Sequence, residues 1–290
     1  MSYEGSVGRT SIALELCINA ALNGHNPVLL ADFDIEKPDL IKMADESGLK
    51  TEKIFGTLPV IDLSHCRYCG ICAGYCSETA IRFNRYVPSV SLIVSRCISC
   101  GNCLKACTRN GISMLQKFAG NILEGRIKGI PLIAGQLQEC GQFHKPLIKA
   151  LLDRIELDAT VICDFGPGND SVICDGLQGM DIAILVIEPE AEWETKLAVM
   201  LNLLNTAGIP SAAVLNKVSD KHAIVEDIKA YCATHVIPLP GIIPLIADYS
   251  PCVANHSGSV GSEVFSETWK NVAELLPVKT VSFKKNISKK

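Results

Sequence analysis

Eight of the fourteen cysteines in this 290-residue chain fall between Cys66 and Cys107, and they are spaced twice in the same way. The first run is Cys66-x-x-Cys69-x-x-Cys72-x-x-x-Cys76, and the second is Cys97-x-x-Cys100-x-x-Cys103-x-x-x-Cys107. Three thiolates at steps of three let one loop wrap three irons of a cubane. The fourth, on the next turn, points away toward the other cluster. This spacing predicts two [4Fe–4S] clusters with crossed ligands. Cys66, Cys69, Cys72 and Cys107 form one set, and Cys97, Cys100, Cys103 and Cys76 form the other. Structural zinc instead takes two Cys pairs separated by a longer arm. Gly70 and Gly101 follow the second cysteine of each half, where the backbone must turn tightly and aim N–H groups at sulfur. The bacterial motif usually has proline after the fourth cysteine, whereas Ser77 and Thr108 stand there in this chain. His65, beside Cys66, reads as a surface residue.

The rest of the composition fits a metal-binding protein of a reducing compartment. So many cysteines in a chain of this length point to metal rather than to disulfides. Hydrophobic residues make up 48% of the chain, enough for a sizeable core. A net charge of −4 gives no electrostatic footprint for nucleic acid. Apolar runs such as Ile182 to Ile187 are far shorter than a membrane span, so no stable membrane insertion is expected. The N-terminal residues lack the pattern of a secretory leader. The expected location is the cytoplasm.

Outside the cysteine region the chain alternates between strand and helix signals. Residues 9–24 show helical spacing and stop at Gly24. Val28–Ala31 reads as a buried strand leading into Asp32-Phe33-Asp34, and 36–58 as loop with some helix. Strands are expected at Thr160–Cys163, Ile182–Ile187, Ala212–Leu215 and about Ile237–Ile243. Helices are expected at about 143–155, 191–207 and 220–233. This rhythm implies parallel strands joined by crossovers, hence a doubly wound α/β sheet. A last amphipathic helix over 262–276 places Val264, Phe265, Trp269, Val272 and Leu276 on one face, packed on the sheet. A Lys-rich tail covers 279–290.

Residues 2–11, SYEGSVGRTS, resemble the deviant Walker A loop of the MinD/ParA ATPases. Asp32-x-Asp34 with Glu36, Pro38 and Leu40 resembles that family's switch segment. Cys163-Asp164-Phe165-Gly166-Pro167-Gly168 resembles its Walker B strand end, and Leu215-Asn216-Lys217 the strand end that reads the base. A double-cubane ferredoxin inserted after the switch segment marks one branch of that superfamily. The resemblance implies a mostly parallel, MinD-like P-loop NTPase sheet with an inserted small α+β ferredoxin domain of the bacterial type. The parts would be 1–58 and 118–278 for the P-loop domain, 59–117 for the insert and 279–290 for the tail. It also implies ATP or ADP with Mg²⁺. Gly5, Gly8, Arg9, Thr10 and Ser11 would cradle the phosphates. The Thr10 hydroxyl would sit on Mg²⁺, Asp164 would hold the metal's water shell, and Asn216 would read the base. Asp34 would orient the attacking water, with Arg9 beside it as the second catalytic residue.

Three departures bear on hydrolysis. Arg9 replaces the P-loop lysine, keeping the charge on a bulkier, forked group. Glu4 stands where the family has its signature lysine, and a carboxylate there repels phosphate. The chain begins at the loop, so the sheet's first strand is missing, which implies a mis-set start or a sheet filled by another segment. Two functional expectations follow. One is ATP binding or hydrolysis coupled to electron transfer through two [4Fe–4S] clusters, in the service of metallocluster assembly. The other is a non-hydrolysing ferredoxin-type carrier or scaffold paired with an ATPase-competent paralogue. Either implies a redox partner protein and a homodimer or a heterodimer with a paralogous MinD-like ATPase. Cys140 and Cys174 read as buried structural thiols rather than as ligands of a cluster shared across a dimer, and Cys17, Cys163, Cys232 and Cys252 as core.

Overall fold

The structure, a computed structural model, describes residues 1, 7–25, 27–45, 48–138, 143–155, 158–167, 171–219, 222–246 and 260–276. Helix α1 (Arg9–Leu22) is buried almost all round through its middle, from Ile12 to Ala20. Its polar residue Asn19 is accommodated by donating its side-chain amide to the Glu15 carbonyl. The helix ends at Asn23, and Gly24 then takes the left-handed conformation expected of a stop signal. Strand β1 (Val28–Asp32) follows, buried on both faces as a central parallel strand must be.

The next segment departs from expectation. A short 3₁₀ turn at Leu40–Met43 leads into a long strand, β2 (Lys50–Ile61), where the polar texture of 36–58 suggested loop with some helix. β2 lies at a sheet edge with its first residues exposed, so it shows neither an apolar run nor clean alternation, and it tolerates Pro59. It leads into the cysteine region, built from α2 (Ile71–Gly74), β3 (Ile81–Asn84), β4 (Ser89–Leu92) and α3 (Asn102–Ala106). β3 and β4 pair antiparallel as a separate two-stranded sheet. The chain returns on β5 (Ile112–Ile127), which pairs antiparallel with β2 from Ile61 opposite Ile112 to Lys50 opposite Glu124. β5 then turns back into β6 (Ile130–Leu137).

The remaining elements follow the α/β rhythm. They are α4 (Lys145–Leu152), β7 (Thr160–Asp164), α5 (Ser171–Gly176), β8 (Ala183–Ile187), α6 (Trp193–Ala207), β9 (Ser211–Val218), α7 (His222–Thr234), β10 (Gly241–Pro244) and α8 (Val260–Leu275). The strand expected over 237–243 is confined to Gly241–Pro244. β6, β1 and β7 run parallel, as do β8, β9 and β10. Helices cover both faces. Leu147, Leu151, Ile173, Leu197, Leu204 and Ile228 pack on one side, while Leu14, Ile18, Phe265 and Trp269 pack on the other. The face of α8 that carries Phe265, Trp269 and Val272 is buried against the sheet, as the sequence pattern implied.

The strands form two ladders, β2-β5-β6-β1-β7 and β10-β9-β8, which stop at facing edges of β7 and β8. Met1 lies in this gap. Its ammonium donates to the Ile184 carbonyl at 2.7 Å, and its carbonyl accepts the Val186 N–H at 2.8 Å.

Candidate functional site

The eight cysteines form two clusters of four. One cavity is bordered by Cys66, Cys69, Cys72 and Cys107, and a second by Cys76, Cys97, Cys100 and Cys103. In each, three cysteines come from one half of the repeat and the fourth from the other. Burial raises the Cys72 thiol, and nearby Cys66, Cys69 and Cys107 push it the same way. Burial likewise raises Cys97, with Cys100 and Cys76 as its thiol neighbours.

The backbone repeats with the sequence. Tyr68 and Ser99 have φ of 51° and 60°, and Gly70 and Gly101 of 75° and 73°. Thr79 and Asn110, three residues past the fourth cysteine of each half, have φ of 48° and 55°. Such left-handed turns aim successive N–H groups inward. The Tyr68 N–H donates to Cys66 Sγ at 3.4 Å, and the Ala80 N–H to Cys76 Sγ at 3.3 Å. A four-thiolate set with N–H donors on its sulfurs is the environment a [4Fe–4S] cubane takes. His65 is exposed and bonds Asp62 at 2.8 Å, so it turns away from the sulfurs.

The second site lies where β1 and β7 end beside the N-terminus of α1. Asp32 and Asp164 sit opposite each other in the parallel register. Thr10 donates its hydroxyl to Asp164 Oδ2 at 2.7 Å. Burial raises the Asp164 carboxyl, against the pull of Thr10 and Arg9. Burial also raises Asp32 well above the usual range, and repulsion from Asp164 adds to it, although the Asp34 and Leu40 N–H groups donate to its two oxygens. Asp34 is raised by burial too, and lies against Gly166. Arg9 is near enough for Asp164 and Asp34 to offset part of its own desolvation. Three crowded carboxyls, a hydroxyl, a guanidinium and a helix N-terminus suit a hydrated divalent cation carrying phosphates, because its positive charge relieves their mutual repulsion.

Asn216, at the end of β9, donates to the Val7 carbonyl at 2.8 Å and so ties that strand to the loop. Gly8 is left-handed at φ 87°, and a side chain there would meet the Asn216 amide. Ser11 lies in the first turn of α1, half-buried. Gly5, Glu4 and Gly168 lie outside the described residues, as do Cys140, Cys252 and the tail. Cys17 and Cys232 are buried and Cys163 is partly so, whereas Cys174, expected to be buried, lies exposed on the short helix α5.

One feature escaped the sequence reading. Buried His144 and partly buried Lys145, at the start of α4, bond the two carboxylate oxygens of Asp175 in α5 at 2.9 and 2.7 Å. Lys145 also reaches Glu78, at 3.6 Å, beside the second cysteine set. Nothing in the local sequence signals this, because its members are 30 or more residues apart.

Fold and site define a MinD-like P-loop α/β domain carrying an iron–sulfur module. Residues 58–108 match the model of the 4Fe-4S dicluster domain. The whole chain has the fold of the MinD/ParA ATPases. It matches the MinD cell division protein of Aquifex aeolicus at 15% identity and a TM-score of 0.51, over 98% of each chain. The septum site-determining protein MinD of Pyrococcus horikoshii OT3, complexed with Mg-ADP, matches at 16% and 0.53, over 95% of this chain and 94% of that one. A putative plasmid partition protein of Borrelia burgdorferi B31, bound to AMPPNP, matches at 13% and 0.53, over 94% and 95%. No curated protein matches the sequence significantly. Among the described residues no helix is long and apolar enough to cross a membrane.

Proposed function

We propose that this chain couples ATP binding, with or without its hydrolysis, to electron transfer through two [4Fe–4S] clusters. The observation that carries this reading is the pair of cavities bordered by Cys66, Cys69, Cys72 and Cys107 and by Cys76, Cys97, Cys100 and Cys103. When bound there, the clusters supply one-electron transfer. The insert, residues 59–117, is the redox module, and residues 1–58 with 118–278 form the nucleotide domain. Thr10 and Asp164 hold Mg²⁺, the loop through Gly8 and Arg9 holds phosphate, and Asp34 positions water. The contacts from Asp175 through Lys145 to Glu78 run from the helix after the Asp164 turn to the second cysteine set. A nucleotide-dependent shift of that turn has a short path to the redox module. The protein works in a reducing cytoplasm, as a dimer with itself or a paralogue, delivers electrons to a partner protein and serves metallocluster assembly.

A second reading follows from Arg9, whose planar fork replaces a compact ammonium. In it the chain binds nucleotide without hydrolysing it, and serves as carrier and scaffold beside an ATPase-competent paralogue. ATPase turnover of the cluster-loaded protein, measured beside cluster potentials with and without Mg-ATP, separates the two. Turnover supports coupling by hydrolysis, and a shifted potential without turnover supports coupling by binding alone. No turnover and no shift in either potential would sink the first reading and leave the non-hydrolysing carrier or scaffold.

A further inference from the structure

Charge is unevenly shared between the two parts of the chain. Residues 59–117 carry seven Arg and Lys against two Asp and Glu, a net +5 in a chain of −4, so the remainder carries −9. Both carboxylates of the module are already engaged. Asp62 accepts from Ser64 and pairs with His65 at 2.8 Å, and Glu78 faces Lys145. Arg67, Arg82, Arg85, Lys105 and Arg109 are all exposed, and among the described residues none of the five has an ion-pair partner. Elsewhere carboxylates are spread over the surface and pair with nearby cations, as in Asp39–Lys42, Asp153–Lys149 and Glu188–Lys217. The module therefore presents unpaired cations to solvent on a chain that is acidic overall.

Three of these cations gather at one end of the module. Phe83 and Val90 of the β3–β4 hairpin border the first cysteine cavity and Ile81 and Leu92 the second, so the hairpin tip lies at the first-cavity end. Arg67 and Arg109 border that cavity, where Cys69 is exposed. The tip adds Arg85, Val87 and Tyr86, which is 96% exposed. It is braced from within, since the Tyr86 and Val87 N–H groups donate to Asn84 Oδ1 at 2.9 and 3.1 Å. An aromatic held in place beside arginine is a common anchor of protein interfaces. Resting on the electron-transfer role proposed above, we propose that this end is the docking face for a small acidic electron-transfer protein. A cubane core in four thiolates is itself anionic, so repulsion opposes an acidic carrier unless cations surround the opening. Arg67, Arg85 and Arg109 supply them and steer the carrier toward Cys69, the exposed edge of that set. A nucleic acid, charged along its whole length, would also meet the acidic remainder. A second copy would offer carboxylates that already have cations.

The test uses the cluster-loaded full chain without oxygen, and a small acidic flavodoxin as the probe. Its Kd is measured by titration and its electron exchange with the chain by stopped flow. Kd should rise at least about tenfold between about 20 mM and about 300 mM salt. Arg85→Glu combined with Tyr86→Ala should raise it at least about tenfold at low salt and slow the exchange, with iron content and reduction by dithionite unchanged. Arg85→Lys keeps the charge and should stay within about threefold of the wild type. A Kd indifferent to salt or to the double substitution overturns the proposal. Reduction by dithionite without flavodoxin binding overturns the docking face alone, whereas clusters that dithionite cannot reduce sink the electron-transfer reading as well. Single-stranded DNA that binds more tightly than flavodoxin assigns the face to nucleic acid and overturns the proposal. Self-association of the chain that the same substitutions abolish assigns it to a second copy, with the same consequence. Should the double variant lose iron, the salt series on the wild type and Arg85→Glu alone decide.

Discussion

Gly8→Ala tests how the loop is held. Gly8 sits at φ 87°, where an L-residue pays about 1–2 kcal/mol. Its new methyl would collide with Asn216 Nδ2, which donates to the Val7 carbonyl at 2.8 Å. Asn216 is buried, so pushing its amide off that acceptor leaves polar groups unpaired, at about 1–3 kcal/mol. The sum, about 2–5 kcal/mol, corresponds to a Tm lower by roughly 3–8 °C in a chain of this length. Thermal unfolding of the wild type, both single variants and the double variant with Asn216→Ala isolates the two parts. With the amide gone, Gly8→Ala should cost only the backbone strain, leaving a coupling of about 1–3 kcal/mol. An equal cost in both backgrounds would refute the collision and leave the loop held by something else.

Cys76→Ser should remove the cluster bound by Cys97, Cys100 and Cys103, and Cys107→Ser the one bound by Cys66, Cys69 and Cys72. Iron analysis should fall from about eight to about four per chain in each, and loss of the same-half cluster by electron paramagnetic resonance would reverse the pairing. Lys145→Ala should abolish any Mg-ATP effect on the potential of the second cluster while leaving nucleotide affinity within about twofold, since it breaks an ion-pair link and touches neither site; a nucleotide effect that survives would dismiss the link. The Met1 ammonium is lowered by burial from 8.0 to about 5, so the unfolded chain holds its proton in a window where the folded one does not. Stability from this group is fully present above pH 8 and is lost as pH falls to 5, by roughly 4 kcal/mol. Asp164 faces the same ammonium and is raised, so its own contribution runs oppositely; the quantity to read is the difference between free and acetylated chains, which should widen from pH 8 to pH 5.

What could be read from the residues divides along the line between local and long-range causes. The grouping of three cysteines from one half with one from the other was legible because it is encoded in spacing, and spacing survives without any knowledge of the fold. β1, β7, β8 and β9 were legible because central parallel strands are apolar on both faces. β2, with Lys50, Glu52 and Lys53 exposed, was not, since its strand character comes from pairing with β5 rather than from its own pattern. Motif order picked out Thr10, Asp32, Asp34 and Asp164, which lie together, yet the crowding of Asp32 against Asp164 depends on a register between strands that no local pattern states. The Lys145–Asp175–Glu78 contacts are long-range for the same reason.

The way the module is attached bears on coupling. β2 and β5 form the outer antiparallel pair of the five-stranded ladder, and the cysteine region grows from their far end. An edge hairpin can be lengthened without breaking any parallel pair, so the insertion leaves the order of the other strands intact. Yet it is not a flexible tether. Register runs unbroken from Phe55 opposite Phe118 to Ile61 opposite Ile112, and Leu58 and Ala119 pack against Phe143, just before α4. Cys97 belongs to that same small apolar cluster. A cysteine of the second set thus shares packing with the residue that precedes His144 and Lys145. A displacement of α4 relative to the sheet cannot be absorbed by slack between domains, because there is a ladder where a linker would be. It must be taken up at Phe143, in the ion pair to Glu78, or at the second cysteine set itself.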